Sequence, residues 1–230
     1  MSAPIPLFNA LAELYERYAE INDEVYRPYL ERGLPAGGAR AVDLGCGTGR
    51  FTGLLADRCD HVLAVDIAER ELEIARAHRS RPSIDFQRAS LLEVPADPPF
   101  DLVLSVNALF HLFGEHGSER VLRHVRSLVA PGGWAVVVDV VSPGPRSLLW
   151  HRWWGVGDAA RTLVRRRSPA DAWTVMRLRQ HPVWMRHART NHPLTRAEFH
   201  RRYSAVFPGA RFTDDIDRFI CAIQWRNTVR

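Results

Sequence analysis

The sequence contains no lysine: all 31 of its basic residues are arginine. We read this as a compositional bias of the coding genome rather than as chemistry. Cysteine is scarce as well. Cys46, Cys59 and Cys221 are three, an odd number, and widely spaced. That excludes a disulfide framework and the paired spacing of a zinc site, and it predicts a reduced, cytoplasmic protein. No apolar run is long enough to cross a bilayer; the longest, "WAVVVDVV", contains Asp139. The first residues lack the basic patch and apolar stretch of a signal peptide. Internal repeats and low-complexity tracts are also missing. What remains is an ordinary globular composition, 46% hydrophobic and 25% charged over 230 residues. That length supports one sizeable core with room for an inserted subdomain.

Charge is unevenly distributed. Residues 1–141 hold 14 Arg against 20 Asp and Glu (−6), and residues 142–230 hold 17 Arg against 6 (+11), giving the net +5. The second part is therefore expected to meet an anionic group or a membrane surface.

Along the chain, apolar residues at helical spacing over 10–32 predict one or two amphipathic helices. After "GLPAGG" the pattern alternates: "RAVDL", "HVLAVD", "SIDFQRA", "FDLVLSV" and "WAVVVDVV" read as strands, separated by helical segments. Strands alternating with helices predict an α/β fold with a parallel sheet covered on both faces. Residues 146–190 break the pattern, with five Trp among many Arg, helical periodicity and no strand. "LTRAEFHRRYSAVF" then reads as a helix opened by a Thr195/Glu198 capping box, and "ARFTDDI" and "RFICAIQWR" as closing strands.

The most informative stretch is Asp43-Leu44-Gly45-Cys46-Gly47-Thr48-Gly49. A strand, a glycine loop and a helix form a nucleotide-cofactor site in outline, because glycine lets ligand atoms approach the main chain. The third glycine falls one place too early for the G-x-G-x-x-G dinucleotide fingerprint. Asp43 would also repel a pyrophosphate while suiting a cation, which disfavours a nicotinamide-dependent oxidoreductase. Asp66, ending the second strand, is placed to accept from a ribose diol, or else to cap the helix that follows. Cys46 reads as a small residue filling the turn. A ribose, a cationic part and no pyrophosphate together describe S-adenosylmethionine.

These motifs resemble the class I S-adenosylmethionine-dependent methyltransferases over roughly 10–141 and 195–230. "AVDLGCGTG", "VLAVDIA", "FDLVLSVNALFHL" and "LVAPGGWAVVVDV" occur in the family's order. The resemblance implies a doubly wound, mostly parallel seven-stranded sheet of order 3-2-1-4-5-7-6, with the last strand antiparallel and a helical cap inserted. It implies an N-terminal helical segment (1–38), a cofactor core (39–141), a substrate cap (142–192) and a closing helix with two strands (193–230). By position, Gly45, Cys46, Gly47 and Gly49 would line the methionine part. Asp43 would hold the loop and face the cofactor amine, Asp66 would clamp the ribose and Ile67 would flank the adenine. Asn107 would lie near the methyl group. Where the family often has an Asp at the adenine edge, this chain has Ser90, with the Leu91 backbone as a substitute. Tyr15 or Tyr18 would fold over the cofactor carboxylate or else simply pack.

Methyl transfer to oxygen or carbon usually requires a base. His111 is the first candidate, with His151, His181, His187 and His192 behind it. Trp150, Trp153 and Trp154 of the cap, together with His111, are the expected acceptor wall, and nearby arginines would pair an anionic group. Two other readings of the cap stay open: a subdomain core with a solvated Arg face, or an interfacial helix with Trp at the headgroups and Arg towards anionic lipid. "DPPF" at 97–100 precedes strand four instead of following it, so it does not indicate methylation of nucleic-acid amino groups. The expected partner is a small molecule, no nucleic acid is expected, and monomer and homodimer remain open. The rival reading is a protein that binds the cofactor without transferring its methyl group.

Overall fold

The computed structural model describes residues 5–142, 148–191 and 193–228. A long helix, α1 (Ile5–Gly33), precedes an alternating core: β1 (Arg40–Leu44), α2 (Thr52–Ala56), β2 (His61–Asp66), α3 (Glu69–Arg79), β3 (Ile84–Arg88), β4 (Phe100–Val106), α4 (Phe110–His116), α5 (Ser118–Ser127) and β5 (Val129–Val140). Three helices follow, α6 (Leu148–Arg166), α7 (Pro169–Gln180) and α8 (Pro182–Thr190), then α9 (Arg196–Val206), β6 (Arg211–Asp217) and β7 (Ile220–Arg226).

The seven strands form one sheet in the order β3-β2-β1-β4-β5-β7-β6. β1 pairs in parallel with β2 and β4, and β7 runs antiparallel between β5 and β6. The expected strand order is thus the observed one. Central strands read as nearly unbroken apolar runs because both of their faces are covered. On β4, Leu102 and Leu104 pack towards α2 and the end of α1, while Val103 packs towards α5 and α9. On β5, Val136 and Val138 face the first layer and Val137 the second. Burying each such side chain contributes roughly 1.5–3 kcal/mol, which fixes the register of the sheet, since a one-residue slip would exchange the two faces.

The Thr195 capping box forms: the hydroxyl accepts from the Glu198 amide at 3.3 Å, and the Glu198 carboxylate accepts from the Thr195 amide at 2.9 Å. The N-terminal periodicity yields one continuous helix, with Pro28 in its last turns. β1 delivers the glycine loop to the carboxyl edge of the sheet beside β4. This is the switch point where open α/β sheets hold ligands. α1, α6, α7 and α8 pack together above that edge.

Candidate cofactor and acceptor site

The glycine loop is built from main chain. Gly45 N and Cys46 N both donate to Val65 O, at 2.9 and 3.0 Å, anchoring the turn on β2. Gly45 sits at φ +72°, and a Cβ there would lie 2.3 Å from the Ala108 side chain. Only glycine meets both demands. Beneath the loop, Thr52 Oγ1 donates to Asp43 Oδ2 at 2.6 Å. Asp43 is buried, and burial pushes its carboxyl up to about 7.

Two further carboxylates flank the loop. Asp66 accepts from Gly47 N through Oδ2 and from Ala68 N through Oδ1, both at 2.8 Å. Its oxygens therefore tie the loop to the residue before α3, although Ala68, not Asp66, stands at the helix N-cap and no side chain caps it. Burial raises its pKa. Glu71, on α3, is only 2% exposed and its Oε1 has no hydrogen-bond partner. Burial, with Asp66 and Glu16 nearby, pushes it up to about 9. Three carboxyl groups held towards neutrality around bare backbone form an acidic floor that a cation would relieve. The residues thus fit a sulfonium cofactor bearing an ammonium group.

α1 lies across this floor. Glu16 accepts from the Thr48 hydroxyl and from Arg79, and pairs with Arg50 at 3.3 Å. Asp23 pairs with Arg27 at 2.7 Å and with Arg50 at 3.0 Å. These arginines are held between α1, the loop and α3.

A cavity of about 1740 Å³ runs from the loop to the cap. Among the residues expected at the site, Tyr15, Tyr18, Asp43, Gly45, Cys46 and Gly47 line it. Asn107, His111, Trp150 and Trp154 line it as well. Gly49, Asp66, Ile67, Ser90 and Leu91 do not. Ser90 instead caps the short 3₁₀ turn Leu91–Glu93, accepting from Leu92 N at 3.3 Å, and Leu91 O bonds His124 Nε2 at 2.9 Å. Trp153 is the clearest departure. It is 68% exposed and points away from the cavity. The reason is helical geometry: Trp150 and Trp154, four apart, share a face of α6, while Trp153 is turned off it. "DPPF" leads into β4 and does not line the cavity.

On the α6 side, the Trp150 and Trp154 rings stack at 5.1 Å and 14°, and Phe219 meets Trp154 edge-on at 4.8 Å. Arg161 lies over the Trp154 ring at 4.6 Å. Arg179 sits over Tyr18 and Trp184 and donates to Asp158 at 2.9 Å and to Tyr18 Oη at 2.7 Å. Asn107, ending β4 at φ +57°, donates to Tyr26 Oη at 2.8 Å, and its buried Oδ1 has no partner. Asn tolerates this conformation better than most residues.

His111 and His187 meet through Asn191, whose side-chain nitrogen lies 2.6 Å from His111 Nδ1 and 3.0 Å from His187 Nε2. Burial lowers His111 to about 3 and His187 to about 4, so both imidazoles are neutral. His151 lines the cavity. His181 caps α8 through Nδ1, 3.3 Å from Val183 N, and His192 lies outside the described residues.

Glu71, Asn191, Arg179 and Tyr26 were not anticipated. Glu71 was concealed in a helix dense with charge. The signal for it was its place four residues before Ala75, a buried position on the same helical face.

A family model described as a methyltransferase domain matches residues 41–133. An uncharacterised methyltransferase of Mycobacterium tuberculosis is 34% identical over 140 residues, covering 59% of this chain and 69% of the relative. A ubiquinone biosynthesis O-methyltransferase of Marinobacter nauticus is 29% identical over 128 residues, covering 53% of this chain and 52% of the relative. The crystal structure of the N-methyltransferase NodS from Bradyrhizobium japonicum, in complex with S-adenosyl-L-homocysteine, superposes with a TM-score of 0.57 at 16% identity. It covers 96% of this chain and all of that one.

Proposed function

The chain belongs to the class I S-adenosylmethionine-dependent methyltransferases, and on that premise we propose that it methylates a small hydrophobic or aromatic acceptor, at oxygen, in the tailoring of a natural product. The observation carrying this reading is that one continuous cavity joins the glycine loop to the helical cap. The cavity's acidic floor of Asp43 and Glu71 continues into a wall made by the stacked Trp150 and Trp154, with Arg161 and Arg179 alongside. A flat apolar acceptor fits such a wall, and a guanidinium can pair an anionic substituent. An O-methyltransferase among the relatives supports oxygen as the methylated atom.

The cofactor, when bound, supplies an electrophilic methyl group and a sulfide leaving group. The chain's own part is alignment, worth roughly 7–11 kcal/mol of barrier in well-oriented systems, and proton management. Asp43, Gly45, Cys46 and Gly47 form the floor, with Gly49 completing the loop behind it. Asp66 and Glu71 are assigned to the ribose, and Tyr15 and Tyr18 to the carboxylate end. The main chain around Ser90, Leu91 and Ile67 flanks the adenine. His111 accepts the acceptor's proton, held in place by Asn191. A weakly basic imidazole suffices, because a hydroxyl becomes a strong acid as its oxygen bonds to carbon.

The test is incubation with S-adenosylmethionine and a panel of phenols, carboxylic acids and amines. S-adenosylhomocysteine and a product heavier by one methyl group are expected with phenols or acids. Tight cofactor binding with no S-adenosylhomocysteine across the whole panel would favour the non-methylating rival.

A further inference from the structure

One exposed face of α6, which meets the cavity only along its edge at Ala160 and Val164, has no packing partner among the described residues. Leu149 is 64% exposed, Trp153 68%, Val156 39%, Leu163 43% and Val164 79%, and Ala160 is exposed between them. At 100° per residue these six positions fall on one stripe about 100° wide along the whole helix. An apolar stripe of this length on a surface marks a contact.

The charges around it identify the occupant. Arg152 and Arg167, at its two ends, are exposed and have no carboxylate partner among the described residues. The one carboxylate of α6, Asp158, is on the opposite face, bonded to Arg179. The neighbouring helix α7 adds exposed Trp173 and Arg177. A symmetric pair of chains meeting through this stripe would set arginine against arginine with nothing to offset them. A surface that is apolar at depth and anionic at its face complements both features. α6 is amphipathic, and no described helix is long and apolar enough to cross a membrane, which fits a helix lying in the interface.

We propose that the outer face of α6 docks on an anionic lipid bilayer, with Trp153 and its apolar neighbours entering the headgroup boundary and Arg152 and Arg167 meeting lipid phosphates and carboxylates. The stripe borders the cavity: Ala160 and Val164 belong to both. Docking would therefore place the cavity rim at the lipid surface.

The test is co-sedimentation of the full chain with vesicles. Phosphatidylcholine vesicles containing about a third phosphatidylserine should retain the protein. Pure phosphatidylcholine should retain at least about fivefold less, and about 0.5 M salt should release most of it. The double variant W153E/L163E, outside the cavity, should lower partitioning by about tenfold or more. Its affinity for S-adenosylhomocysteine should stay unchanged, which confirms folding. No sedimentation on anionic vesicles at low salt would overturn the proposal. So would binding that the double variant leaves intact, or a dimer in sedimentation velocity that the variant dissolves while lipid binding is nil.

Discussion

The floor and the roof of the cavity differ in what they are made from. The floor is main chain and acid: a glycine turn bonded to β2, with Asp43, Asp66 and Glu71 around it and the nearest arginines engaged with Glu16 and Asp23 of α1. The roof is side chain, aromatic and basic: Trp150, Trp154, Trp184, Arg161 and Arg179. A backbone-built site has few sequences that can make it, since a Cβ at Gly45 collides with Ala108. A roof of side chains on helices can be altered one residue at a time without disturbing the sheet. Under the proposed function, the floor would carry the chemistry common to the family and the roof whatever distinguishes this acceptor.

The comparison is broken most severely at the residue between the two. His111→Ala is expected to lower turnover about 10²–10⁴-fold if His111 takes the proton, with cofactor affinity nearly intact; a loss under tenfold would return it to a packing role. His111 and His187 are held at about 3 and 4, so both stay unprotonated above pH 5. The rate should then fall only as pH drops through about 3, the value of His111, and an acid limb near 6.5 would assign the base elsewhere.

Next in size is Asp66→Ala, which should weaken cofactor binding by about 1.5–3 kcal/mol by calorimetry and leave acceptor KM unchanged at saturating cofactor. Trp154→Ala should do the reverse. Losing the stack is worth about 0.5–1.5 kcal/mol, a rise of a few-fold in acceptor KM with cofactor affinity constant.

The smallest effect separates charge from hydrogen bonding on the floor. Glu71 is raised to about 9, so it is protonated at neutral pH, and a bound cation favours its ionised form. Binding of the sulfonium should therefore release protons, and more of them than binding of the neutral sulfide product. Glu71→Gln should flatten the difference between pH 7 and 9 that calorimetry reads in buffers of differing ionisation heat. An unchanged difference would place the proton elsewhere.

The sheet and the loop were legible because β-strand alternation and glycine's conformational freedom admit few residue types, and both constraints are local. Asp43, Gly45 and Gly47 line the cavity where the chain alone put them, whereas Gly49 does not. Trp153 could not be separated from Trp150 and Trp154 by composition, because only winding into a helix turns it off the face that the other two share. Ser90 matched a family position, yet its hydroxyl serves the adjacent 3₁₀ turn. Glu71 and Asn191 depend on tertiary contact, with α1 over α3 and α8 against α4, and short-range sequence pattern does not encode that contact.

α1 grips both ends of the cavity. Glu16 and Asp23 hold the loop, while Tyr18 bonds Arg179 and Arg17 reaches Asp171 on α7. A transplanted α6–α8 module from a cousin enzyme would therefore inherit this chain's cofactor chemistry only if it arrived with partners for Arg17 and Tyr18. The first helix is in effect the adaptor that any exchange of specificity has to plug into.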